Sequence, residues 1–187
     1  GDSYVLHDFG DYKIVDSAQK LEKDQFINEC NDGDLMVFSF YPTKPVGSSD
    51  GGMIVSNDLE KIKLLKELAL NGMTSSHNNW ERTIKFPGYK MYMNSIQAEI
   101  GMNNFNMYGE KLSSLKKVRD LYNNKLGCLN TSNHLYRIEV TKRDKFIKFM
   151  KDSGISCGVH YSAAHLNPVY GEHVNNTSPN SRHYKLS

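Results

Sequence analysis

Lys44 closes the run Val37-Phe38-Ser39-Phe40-Tyr41-Pro42-Thr43-Lys44, and the stretch Pro45-Val46-Gly47-Ser48-Ser49-Asp50-Gly51-Gly52 follows it. An apolar segment thus runs out through a serine and a proline-stiffened turn, then delivers one amine into a loop of small residues. Glycines in such a loop allow close backbone approach and positive φ, and loops on a rigid scaffold are where ligands are met. Upstream, Tyr12-Lys13-Ile14-Val15-Asp16-Ser17-Ala18-Gln19 sets the carboxylate of Asp16 at the end of a second short apolar segment. A lysine amine can condense with an aldehyde, and a carboxylate can pair with a protonated ring nitrogen so that the ring draws off electrons. Those are the two groups that a pyridoxal phosphate site requires. Each residue also has an ordinary reading: lysine after a strand is usually solvated, and aspartate at a strand end is usually a turn or cap residue. Residue types alone leave both readings open.

The elements that must position these groups are visible as periodicity. Apolar segments near residues 12–15, 35–40 and 53–56 predict short buried strands, whose β-rich content suits a sheet covered on both faces. Asn57-Asp58 can cap a helix whose apolar face is Leu59, Ile62, Leu64, Leu65 and Leu68, with Gly72 as its stop. Residues 73–88, which include Trp80 and Pro87-Gly88, predict a loop. From Met93 a long helical pattern runs through Ile96, Ile100, Phe105, Leu112, Leu115, Val118, Leu121 and Tyr122, with an interruption near Gly109. Leu135 to Val140 alternates as a strand, Arg143-Asp144 opens a helix that ends at Gly154, and Ile155 to Tyr161 predicts another strand. Strands alternating with helices make the fold class α/β. The Asn-, Ser- and His-rich tail from Gly171 predicts a loop or poorly ordered segment.

The literal text of these segments resembles the DegT/StrS-type sugar-nucleotide aminotransferase family, pyridoxal-phosphate enzymes of aspartate aminotransferase fold. Matching blocks are Val15-Asp16-Ser17-Ala18-Gln19, Gly33-Asp34, Phe38 to Lys44 with Asp50 to Asp58, and Gly88 to Ala98. They continue with His134-Leu135-Tyr136, Gly158-Val159-His160-Tyr161 and His165-Leu166-Asn167-Pro168-Val169-Tyr170. The resemblance implies the C-terminal half of a fold type I large domain, with a mainly parallel sheet, over residues 1–108. It implies an incomplete small α/β domain over 109–187 and a chain shorter than its relatives at both ends. It further implies that Lys44 binds the cofactor covalently and serves as general acid and base, and that Asp16 pairs with the pyridine nitrogen. Gln19 would lie against the ring, Ser39 would donate to the cofactor phosphate, and His160 and Tyr161 would approach the substrate. Tyr92 stands where relatives commonly carry Asn or Arg, and Ser95 where an acidic residue is usual.

Composition narrows the field without choosing a substrate. Of 187 residues, 24% are charged and 39% hydrophobic, ordinary for a globular protein. A formal net charge of +2 is too small to argue for nucleic acid or an anionic membrane. No apolar run approaches the ~18 residues of a membrane helix. Residues 1–4 lack the basic and apolar regions of a signal peptide. Cys30, Cys128 and Cys157 are odd in number and widely spaced, which argues against a disulfide framework or a zinc site and fits a reducing cytosol. His160 and His165 are five apart, where a helical metal pair prefers four. No metal is therefore expected, and a cytoplasmic location is.

Three functions follow as expectations. The first is transfer of an amino group, from glutamate, to a nucleotide-linked keto-sugar by a homodimer with shared active sites. The second is a non-catalytic remnant that needs a partner chain to complete the site. The third is a dehydratase relative, but relatives that deoxygenate sugars carry histidine in place of the lysine, and Lys44 counts against it.

Overall fold

The computed structural model describes residues 3–74, 82–161 and 167–169. Residues 75–81 of the expected loop, with Trp80, and the tail from Gly171, lie outside the described residues, as does His165. The chain packs as two units, residues 1–136 and 137–187.

The first unit is built on a four-stranded sheet, β1 (Tyr4–Asp8), β2 (Lys13–Asp16), β3 (Leu35–Ser39) and β4 (Gly52–Val55), in the order β1-β2-β3-β4. The α/β class is as expected, but the sheet is mixed. Only β2 and β3 run parallel, with Ile14 opposite Leu35 and Asp16 opposite Val37; both outer pairs are antiparallel. Parallel strands need a long crossover, and residues 17–34 supply it, with the short helix α1 (Gln25–Glu29) inside. Val15, Met36 and Phe38 form the buried core, with Leu21, Phe26, Cys30, Phe40 and Val55 packed against them. Met36 is wholly buried. This small cluster holds the carboxyl ends of β2 and β3 side by side.

Helix α2 (Leu59–Ala69) starts where the sequence places it. The Asp58 carboxylate caps it by accepting from the Lys61 N–H at 3.0 Å. Helix α3 (Ser95–Asn106) opens with a reciprocal capping box: the Asn94 side chain accepts from the Gln97 N–H, and the Gln97 side chain accepts from the Asn94 N–H, each at 2.9 Å. Helix α4 (Tyr108–Leu126) follows after one residue, Met107, and ends at Gly127 in the left-handed region. The interruption therefore falls at Met107, two residues before Gly109, and Gly109 itself lies within the first turn of α4.

One expectation about these helices fails in part. Most of the apolar pattern read along α3–α4 is turned outward, with Leu112 and Leu115 half-buried: Ile96 is 72% exposed, and Phe105, Val118, Leu121 and Tyr122 are exposed as well. The residues that reach inward are Gln97, Gly101, Asn104, Tyr108, Leu112, Leu115, Arg119 and Asn123, at spacings of three and four that keep one helix face. Hydrophobic periodicity reports which residues need cover, not which element of the same chain supplies it.

Segments 135–140 and 155–161 do not form strands. A strand needs a ladder partner for its N–H and C=O groups, and another group takes the first N–H of each segment. The Ser132 hydroxyl accepts from the N–H groups of His134 and Leu135, each at 3.1 Å. The Tyr136 hydroxyl donates to Asn123 on α4 at 3.0 Å. In the second unit, α5 (Arg143–Asp152) forms as expected, and the Ile155 N–H donates to the Met150 carbonyl at 2.8 Å as the chain leaves the helix.

Candidate active site

The parallel pairing of β2 and β3 carries their C-terminal residues, Asp16 and Ser39, to the same edge of the sheet. In open α/β sheets ligands bind outside the carboxyl ends of the strands. The ladder continues one step past β2, since the Ser17 N–H donates to the Val37 carbonyl at 2.8 Å. Both oxygens of Asp16 accept hydrogen bonds, Oδ1 from the Ala18 N–H at 2.8 Å and Oδ2 from the Tyr4 hydroxyl at 3.0 Å. The bond to Asp16, and then its negative charge, push the Tyr4 phenol above its ordinary value. A carboxylate held this way is an oriented acceptor.

Gln19 lies in the turn that follows. That turn is secured from beneath by a buried polar network. Ser17 is 1% exposed and donates to the Lys20 carbonyl at 2.9 Å. Gln25 is 4% exposed; its amide donates to Ser17 Oγ, and its carbonyl accepts from the Glu22 N–H at 3.0 Å. Such buried groups stay only because each finds a partner.

From Ser39 the chain turns tightly. Its Oγ accepts from the Tyr41 N–H at 3.3 Å, and the Lys44 N–H donates to the Tyr41 carbonyl at 2.9 Å. Lys44 is half-buried, and no hydrogen bond or ion pair holds its ammonium group among the described residues. After it, Val46, Gly47 and Ser48 are buried. A Cβ on Gly47 would stand 2.3 Å from the Pro42 carbonyl oxygen, so the close approach expected of this loop is realised there. Gly51 has φ +121° and lies against the Met93 side chain.

Asp16, Gln19, Ser39 and Lys44 therefore all belong to the first unit, on the exits of the two parallel strands. His160 and Tyr161 belong to the second unit; both are exposed, Tyr161 by 75%, with ring centroids 4.9 Å apart. Sequence reasoning missed Tyr4 and Gln25. Tyr4 gives no pattern because β1 is exposed along its whole length. Gln25 opens a five-residue helix too short for periodicity to register.

Sheet, strand exits and amine together define an α/β domain of the kind that binds a small ligand at its strand ends. The chain belongs to the DegT/DnrJ/EryC1/StrS aminotransferase family, whose model matches residues 14–185. It is 27% identical over 164 residues to the spore coat polysaccharide biosynthesis protein SpsC of Bacillus subtilis, covering 74% of this chain and 42% of that protein. It is 28% identical over 158 residues to GDP-perosamine synthase of Caulobacter vibrioides, covering 74% and 41%. Among solved structures, the PLP-form of the putative sugar aminotransferase Spr1654 from Streptococcus pneumoniae superposes with a TM-score of 0.71 at 27% identity, over 84% of this chain and 45% of that one. The chain thus spans about half the length, or less, of the relatives it matches.

Proposed function

We propose that this protein is, or forms part of, a pyridoxal-phosphate-dependent aminotransferase that moves an amino group from glutamate to a nucleotide-linked keto-sugar, in amino-sugar biosynthesis. The observation that carries the reading is the placement of Asp16 and Ser39 at neighbouring carboxyl ends, with Lys44 in the turn beyond. The residues suit the cofactor's chemistry: a carboxylate oriented by two hydrogen bonds ends β2, and a half-buried amine stands without an ion-pair partner among the described residues. Relatives that match over most of this chain act on UDP-, GDP- and dTDP-linked sugars by name.

Pyridoxal phosphate supplies an electrophilic aldehyde carbon and a ring that withdraws electrons. Lys44 Nζ would anchor it and then hold and return the proton that moves during transamination. Asp16 would accept the ring N–H, keeping the ring cationic. Ser39 Oγ would donate to the phosphate, and Gln19 would lie against the ring. His160 and Tyr161 would serve the substrate. The protein would act in the cytoplasm as a homodimer with shared sites.

Titration with pyridoxal phosphate tests this. The wild type should gain a saturable visible absorbance band, and Lys44→Ala should lose it. A band that survives Lys44→Ala would remove the lysine from its role.

A second reading is favoured by the exposed apolar residues of α3 and α4: the site is completed by another polypeptide seated on that face, and this chain alone binds cofactor weakly. Gel filtration with added cofactor separates the two readings, because stoichiometric binding by the chain alone argues against a remnant.

A further inference from the structure

The half-buried stripe along α3 and α4 does something its composition does not suggest. Where the helices meet the two strand exits, with exposed Lys111 at the edge of the stripe, every contact runs through a backbone carbonyl, that of Gln97 in one case and that of a loop residue in the others. On the lysine side, the Gln97 carbonyl accepts from Ser48 Oγ at 2.6 Å, the Asn104 amide donates to the Gly47 carbonyl, and Lys111 Nζ donates to the Pro45 carbonyl at 3.0 Å. Gly101 lies between the first two, and a Cβ there would make ordinary contact with the Ser48 Cβ at 3.8 Å. One turn beyond Asn104, the Tyr108 hydroxyl donates to the Leu21 carbonyl at 2.9 Å. That carbonyl belongs to the other loop, the one that carries Asp16 and Gln19. Burial, and then the charge of Glu22, push the Tyr108 phenol up, so it stays a donor over the working range. Gln19 and Pro45, one from each loop, line a single small cavity together with Tyr108.

We propose that α3–α4 is a common brace that sets the distance between the Lys44 loop and the Asp16–Gln19 loop, with Asn104 and Tyr108 as its positioning residues. The inference rests on the cofactor site proposed above. The two reacting groups sit on separate loops, and each loop alone has only a short turn to define it. A rod fastened to both converts two local geometries into one. The spacing of 97, 104, 108 and 111 keeps the fastenings on one side of the helix pair. Neither Asn104 nor Tyr108 touches the cofactor in this scheme. Each acts through loop backbone, where a misplacement of about 1 Å is enough to weaken a covalent capture.

Two probes separate the loops: pyridoxal phosphate, whose aldehyde needs Lys44, and pyridoxine 5′-phosphate, which carries an alcohol there and cannot bond to the lysine. Asn104→Ala should weaken pyridoxal phosphate binding about fivefold, the fold-change of one lost hydrogen bond, and leave pyridoxine 5′-phosphate unchanged. Tyr108→Phe should weaken both by a similar factor. Lys111→Met, at an exposed position, is the milder companion to Asn104→Ala and should act in the same direction. Amide hydrogen exchange without any ligand supplies the independent readout. Residues 45–48 should exchange about fivefold faster in Asn104→Ala, and residues 19–22 in Tyr108→Phe.

Wild-type protein that binds neither probe would refute the cofactor site, while the exchange rates would still judge the brace. Wild-type binding with unchanged affinities and unchanged exchange in the variants would refute the brace and leave the site standing. Equal loss of both probes in Asn104→Ala would also overturn it, since that outcome is general destabilisation and not displacement of the lysine loop.

Discussion

Gly47 offers a sharp test of how the lysine loop is built. Its backbone lies against Pro42, and a methyl group there would approach the Pro42 carbonyl oxygen to 2.3 Å and its carbonyl carbon to 2.9 Å. Both obstacles are backbone, so the loop must open. Opening breaks the 2.7 Å bond from the Ser48 N–H to the Phe40 carbonyl and the bond from Asn104 to the Gly47 carbonyl. Each is worth about 1 kcal/mol, and overpacking adds about 1 kcal/mol or more. Gly47→Ala should therefore cost about 3 kcal/mol, or about 6–12 °C in Tm for a chain of this size. Gly109→Ala is the control. It lies in α4 with nothing within 4 Å of the new methyl, and should stabilise by about 0.5 kcal/mol through helix propensity. Thermal and urea melts followed by circular dichroism measure both, and cofactor titration follows the first. A loss under about 1 kcal/mol in Gly47→Ala with cofactor absorbance intact would refute the close approach and the loop geometry drawn from it.

Gln25→Leu should cost about 2 kcal/mol in urea melts, because two buried hydrogen bonds that fix the turn after Asp16 are lost; it should also weaken cofactor binding. Asn94→Ala should cost about 1 kcal/mol by removing the reciprocal cap of α3. Glu29 and Lys20 form a 2.6 Å pair. Burial alone pushes the Glu29 carboxyl up, but the bonds from Lys20 and Ser3 outweigh it and leave it below its ordinary 4.5. Its contribution is therefore present above pH 4.5 and lost as pH falls through the lower folded value. The bond to Glu29 raises Lys20 above 10.5, so its share is present below that pH and lost as pH rises through the higher folded value. Stability measured against pH should show both limbs, and Glu29→Gln should remove the acid limb and shrink the alkaline one, since Glu22 also raises Lys20.

The candidate site was more legible in the sequence than the fold around it, for a physical reason. Val15 and Phe38 are buried, so the apolar runs ending at Asp16 and Ser39 read directly as strands, and the parallel pairing of β2 with β3 then brings both ends together. Asp58 announced the start of α2 because caps are local chemistry, whereas the helix ends at Ala69, with Asn71 and not Gly72 as the first left-handed residue. Longer-range facts left weaker marks. Leu135 to Val140 has strand composition but no ladder partner among the described residues, and Ser132 takes its first N–H instead. Ile96 and Phe105 follow a helical period yet stay exposed, while Asn104 and Tyr108 turn inward to bond with loops many residues away. A polar stripe at spacings of three and four was present in the text. It could be recognised only once the backbone carbonyls it serves had been placed.

A structure of the protein soaked with pyridoxal phosphate tests the central claim most directly. The account predicts density continuous from Lys44 Nζ into the cofactor, with an Asp16 oxygen within about 3 Å of the ring nitrogen and the phosphate at Ser39. A cofactor seated elsewhere, or a ring nitrogen out of reach of Asp16, would contradict it.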